Sequence, residues 1–156
     1  GWMLLVDGRP ALHGTDPNEE LLTGLEVGMV GPAERPIWHH ADVVAIELIE
    51  PRYGLSPGWE TLDTARWIGR FQQAAAPVPV VLLKRSDILR HLGVVTRGPN
   101  KTSADAGVRA ALLDRYGGSG AKGTKAAPGP LYGVSGDVWA ALAVAVTHAD
   151  QLEASS

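Results

Sequence analysis

The chain reads as an α/β domain, and three observations predict this. The first is a continuous apolar run over residues 43–49, led in by Asp42 and broken only by Glu47. A short run of this kind is the pattern of a buried strand in an α/β sheet. The second is a segment of helical period over residues 60–76, and the third is another apolar run over residues 78–83. Apolar strands alternating with an amphipathic helix define the α/β class.

The elements follow in chain order. Residues 2–7 predict a strand, Asp7-Gly8 a hairpin turn, and residues 10–14 a short return strand. Residues 17–25 predict a short helix with Asp16 as its cap. Residues 26–40 show no period and contain Gly28, Gly31, Pro32 and Pro36, so they read as a loop. Residues 43–49 form the central strand, and residues 51–58 a turn-rich loop. In the helix over residues 60–76, Thr64, Trp67, Ile68, Phe71, Ala74 and Ala75 share one face. Pro77 and Pro79 end it, and residues 78–83 make the next strand. Ser86 is positioned to cap a short helix reaching Leu92, and Ser103 to cap a helix over residues 104–116 closed by Gly117. Residues 117–130, rich in Gly, Lys and Pro, are expected to be mobile. Ser135 or Gly136 opens a last helix running to about Ala149, apolar around most of its circumference.

Composition narrows the function classes. The 156 residues suit a single domain, 45% hydrophobic and 20% charged, which is ordinary for a globular protein. The absence of cysteine excludes disulfides, thiolate zinc sites and cysteine nucleophiles. No apolar run approaches the ~20 residues of a membrane span. The first seven residues lack the basic flank of a signal peptide, which leaves the cytoplasm as the default compartment.

The net charge of -3 is unevenly spread. Residues 1–83 hold 5 Lys/Arg against 11 Asp/Glu, whereas residues 84–125 hold 9 Lys/Arg against 3 Asp. A basic middle segment suits a polyanion such as nucleic acid. Solvated side chains scattered over a surface would give the same tally.

Two acidic residues stand out. Glu47 is embedded in an apolar strand, where a charge is costly unless a metal or partner offsets it or the residue lies at an exposed strand end. Asp137 falls in the first turn of the last helix, where it either complements the helix dipole or serves a site. Other patterns carry less. The segment 118–125 has Thr-Lys where a phosphate-binding P-loop has Lys followed by Ser or Thr, and no strand leads into it. His39-His40 lacks partners at ligand spacing. Ser86, Asp87 and His91 are triad residue types without an elbow turn. His148 lies about three helical turns from Asp137.

Together these stretches resemble one family. "VVAIELIE", residues 43–50, looks like the fourth strand of RuvC-type Holliday junction resolvases, and "ALAVAVTH", residues 141–148, like the end of their last helix. "ETLDTARWIGRF", residues 60–71, fits the helix between them, and "GPLYGVSGDVWAALAVAV", residues 129–146, looks most like the phage and prophage branch. The resemblance runs in order along almost the whole chain. It implies an RNase H-like mixed sheet flanked by helices, with acidic residues from the first strand, the fourth strand and the last helix holding divalent metal. On that reading Glu47 and Asp137 are catalytic metal ligands, for magnesium or for manganese in its place. Lys84, Arg85, Arg97, Lys101, Lys122 and Lys125 would line the DNA-binding face. Branched DNA, above all a four-way junction, would be the substrate. The protein would act as a homodimer in the cytoplasm of a bacterial or phage-infected cell, with no membrane partner. Glu47 and Asp137 are expected to face each other across a shallow groove.

Two departures qualify the resemblance. Ala140 stands where the family usually has a second acid, three positions after Asp137. The family also begins with a strand ending in Asp-Pro-Gly, whereas residues 1–6 look like a segment that follows it, and Asp7 sits at a turn. The sequence therefore reads as an N-terminally truncated domain lacking the first strand and its aspartate. A catalytically inactive nucleic-acid-binding or assembly module of the same fold is the alternative reading. On the truncated reading, residues 1–156 leave a four-way junction uncut in magnesium, and a form extended upstream cuts it. Robust cleavage by residues 1–156, abolished by Glu47→Gln, would place the missing ligand within this chain.

Overall fold

The computed structural model describes residues 1–27, 29–30, 35–36, 41–50, 54 and 56–156. His39 and His40, most of the predicted loop over residues 26–40 and part of that over 51–58 lie outside the described residues. The chain is mixed α/β, and its described strands pair two by two in three small sheets. It divides into two compact units, one of residues 1–15 with 86–156 and the other of residues 16–85.

The first unit opens on a hairpin of β1 (Trp2–Val6) and β2 (Arg9–Gly14), antiparallel with an irregularity after Leu4. Asp7 and Gly8 both take positive φ, 49° and 70°. That is the geometry a two-residue hairpin turn requires, and it explains Gly at the second position. Helix α4 (Ala104–Arg115) begins at Ser103, whose side chain accepts a hydrogen bond from the Ala106 N–H at 3.2 Å, as the sequence predicts. Helix α5 (Val138–Ser155) runs several residues past its predicted end and packs on β1, β2 and α4. Leu142 and Val146 are fully buried in that contact, with Val138, Trp139, Ala143, Val144 and Thr147 also buried. Among the described residues, Thr147 Oγ1 and His148 Nε2 on this helix are buried without a hydrogen-bond partner.

The segment 117–130, expected to be mobile, is hydrogen-bonded on itself. A short 3-10 turn at Gly118–Gly120 leads into a bridge between Gly123 and Pro128, and the Leu131 N–H reaches the Ala121 carbonyl at 2.8 Å. The apolar anchors Ala121, Leu131 and Val134 are buried, which the Gly- and Lys-rich composition conceals. The Tyr116 hydroxyl donates to the Gly8 carbonyl at 2.9 Å and joins the end of α4 to the hairpin turn; burial pushes its phenol up from the usual value.

The second unit contains α1 (Asn18–Val27), β3 (Met29–Val30), β4 (Arg35–Pro36), β5 (Val44–Leu48), α2 (Trp59–Ala74) and β6 (Val80–Lys84). Strands β5 and β6 are parallel, in register from Val44↔Val80 to Leu48↔Lys84. Parallel strands need a crossover, and α2 supplies it. Trp67, Ile68 and Ala75 of the predicted apolar face are buried, whereas Thr64 is exposed and Phe71 half-buried. Every residue of β5 is half-buried, not fully covered. Its only described strand partner is β6, so one edge of this parallel pair has no strand beside it among the described residues. No helix among the described residues is long and apolar enough to cross a membrane.

A clasp ties three helices of the first unit. Arg115 at the end of α4 makes two hydrogen bonds to Asp150 of α5, at 2.7 and 2.8 Å, and His91 at the end of α3 (Arg85–His91) meets the same carboxylate at 2.7 Å. The Arg115 guanidinium, aided by His91, holds the Asp150 carboxyl below the usual carboxylate range although burial opposes it. Folding therefore favours the ionised form. That contribution is fully present above the ordinary aspartate value of about 3.9 and is lost as pH falls through the lower folded value. Urea denaturation is expected to find Asp150→Asn less stable than the parent at about pH 7, with the gap narrowing at about pH 3. An equal gap at both pH values would assign the clasp no electrostatic share.

Candidate functional site

Glu47 is the fourth residue of β5, opposite Leu83 of β6 and close to the carboxyl end of the parallel pair. Strand alternation puts it on one face with Ala45, and Val44, Ile46 and Leu48 on the other. The carboxyl ends of parallel strands are where open α/β sheets place ligand sites. The Glu47 side chain is 29% exposed, and Arg85 Nη1 lies 3.4 and 3.5 Å from its two oxygens. Arg85 follows directly on β6, so the register that aligns Glu47 with Leu83 also brings the guanidinium to the carboxylate. Arg85, expected on a DNA-binding face, thus has an acidic partner.

Asp137 immediately precedes α5. Its backbone is already helical, at φ -68° and ψ -12°, and its carbonyl accepts the Ala141 N–H at 3.2 Å. The side chain is exposed and makes no capping hydrogen bond, so the carboxylate is not used in closing the helix end. Ala140, one turn on, is half-buried and supplies no second acid. Glu47 and Asp137 belong to different units, and the geometry of each is that of its own unit. Among the described residues, no group of three or more His, Asp or Glu side chains is clustered as for a metal ion.

The expected basic residues fall in three places. Lys84 is exposed at the end of β6. Arg97 and Lys101 are exposed in the loop joining α3 to α4, on either side of a turn closed by the Lys101 N–H and the Gly98 carbonyl at 3.3 Å. Lys122 and Lys125 share the hydrogen-bonded turn over residues 117–130, with Lys125 exposed. Arg109 is one cation of the basic segment and no motif singles it out, yet its guanidinium lies 5.5 Å from the centroid of the Trp139 ring, with Lys122 Nζ 5.4 Å from the same centroid. Arg109 and Trp139 are distant along the chain, and no periodicity links them. The acidic partner that His91 finds in Asp150 is hidden from sequence reasoning in the same way.

No protein-family model matches the chain, and neither a curated protein nor a solved structure is significantly similar to it. The candidate residues therefore rest on their own geometry and on the motifs that single them out.

If Arg97 and Lys101 touch phosphates, replacing both with alanine weakens binding of a four-way junction. It also flattens the salt dependence, by roughly one unit of slope for each phosphate released. Identical salt titrations for the parent and the double variant would remove this loop from the interface.

Proposed function

We propose that this chain is part of a RuvC-type, RNase H-like nuclease that acts on branched DNA by metal-dependent phosphodiester hydrolysis. The observation that carries the reading is Glu47, a part-buried carboxylate near the carboxyl end of a parallel strand, within a motif that resembles the family's fourth strand. A carboxylate costs free energy in such a place unless a cation offsets it. The Arg85 guanidinium lies beside it, which supports a cation-binding role for this position.

Oxygen donors suit magnesium or manganese, and the family resemblance names Glu47 and Asp137, each in its own unit, as carboxylate ligands. When bound, such an ion polarises a phosphodiester and lowers the pKa of water. This chain's own residues supply the negative charge that retains the ion and the cations that hold the DNA backbone. Asp137 is available for that role because its side chain is exposed and makes no cap bond. Arg85 would orient the Glu47 carboxylate and limit its charge until a stronger cation arrives.

The alternative is a nucleic-acid-binding or assembly module of the same fold without catalysis. Ala140 favours it, since the first turn of α5 then offers one acid where the family usually has two.

Calorimetric titration with manganese tests the site without relying on turnover. Binding is expected to weaken at least tenfold, about 1.4 kcal/mol or more, in Glu47→Gln. Unchanged affinity in Glu47→Gln would remove Glu47 as a ligand and leave the non-catalytic reading.

A further inference from the structure

We infer that Arg109, Lys122 and the Trp139 indole form a seat for a nucleic-acid backbone phosphate. The inference deepens the nuclease reading, on which its choice of ligand rests. Two cations converge on one ring, Arg109 at 5.5 Å and Lys122 at 5.4 Å from its centroid. The ring's negative face attracts each of them. Sharing the ring places the two charges within about 11 Å of each other, and neither is ion-paired with a carboxylate among the described residues. Arg66, Arg70, Arg85, Arg90 and Arg115, by contrast, each face an Asp or Glu. Two cations seated on one ring without a paired acid suit an anion that presents several oxygens, as a phosphodiester does.

Packing sets the ring and the backbone positions of the seat, although Arg109 itself is exposed and Lys122 half-buried. Trp139 is buried, so its ring is a fixed platform on α5. Arg109 projects from α4, whose start is capped by Ser103 and whose neighbouring residues Val108 and Leu112 are buried. Lys122 sits in a turn where its carbonyl accepts the Gly129 N–H at 3.1 Å, beside the buried Ala121. A side chain at Gly129 would strike the Ala121 carbonyl, so glycine there permits the close approach that sets the turn. The exposed carboxylate of Asp137 stands two positions before Trp139. A phosphate on the seat would therefore lie near the start of α5, where the nuclease reading puts a metal ligand. Lys125, exposed in the same turn, extends the positive charge in the way a continuous backbone, and not a lone small anion, would use.

The test is a salt titration of full-chain binding to a labelled duplex and to a four-way junction, in calcium to suppress cleavage. Arg109→Gln and Lys122→Gln are each expected to lower the slope of log affinity against log salt on duplex DNA by about 0.9. Arg109→Lys keeps the charge and should keep the slope, and Arg66→Gln, on α2, serves as a control that should not move it. Unchanged slopes in both Gln variants overturn the inference. So does weaker binding with the parent's slope, which marks a structural effect, and so does an absence of DNA binding by the parent. Inorganic phosphate that displaces the duplex at equal charge concentration would also overturn it, since the seat would then favour a free anion. If the slopes shift as expected while manganese binding is indifferent to Glu47→Gln, the seat stands and the metal-dependent reading falls.

Discussion

The larger unit depends on the burial of α5. Seven of its residues are buried, and they face β1, β2 and α4. Alanines and valines between the larger Trp139, Leu142 and Val146 allow close approach, so the hairpin and α4 settle against one helix in place of a wide sheet. The polar groups of interest sit at its two ends. Asp137 and Trp139 lie at the start and Asp150 near the finish, so the buried middle holds both in place. Side chains displayed from a packed helix keep their geometry without a ligand, which a binding or catalytic site requires.

The smaller unit works on a different constraint. Its parallel pair carries one carboxylate, Glu47, that is neither buried nor free in water. Arg85 compensates it at a distance slightly longer than an ideal charge-assisted hydrogen bond. A pair of this exposure contributes little to stability. It is also longer than the bidentate clamp of Arg115 on Asp150, at 2.7 and 2.8 Å. The two carboxylates thus separate by environment into one that ties helices together and one that pairs with the residue following the neighbouring strand.

Local signals are legible in the sequence, and long-range ones are not. Asp7-Gly8, the Ser103 cap and the strand–helix–strand order over residues 43–83 follow from turn chemistry, capping and periodicity, all set within a few residues. Boundaries move where packing overrides local preference: α5 continues past Ala149 because Asp150 is held by Arg115 and His91. Helix α3 begins at Arg85, so Ser86 lies within its first turn and not before it. Composition misleads over residues 117–130, since glycine there serves close approach as well as freedom, and its anchors are single buried residues. Glu47 is visible as a charge in an apolar run. Its partner Arg85 is not, because only the register of β5 against β6 brings the two together.

The same long-range pairing changes what the basic segment means. Composition alone assigns residues 84–125 nine cations. Arg85, Arg90 and Arg115 each face a carboxylate, and charge neutralised within the protein releases few counterions from DNA. Among the described residues, no carboxylate is ion-paired with Lys84, Arg97, Lys101, Arg109, Lys122 or Lys125. Leaving aside Lys84 in the smaller unit, these fall in the loop between α3 and α4, on α4 and in the turn before α5, all within the larger unit. The electrostatic case for nucleic acid therefore rests on a smaller set than the composition suggests, but a better-placed one. It is carried by connected segments of one compact unit, two of whose cations already converge on a buried aromatic ring. On the proposed nuclease reading, these cations without an internal partner are the ones left to meet a nucleic-acid backbone.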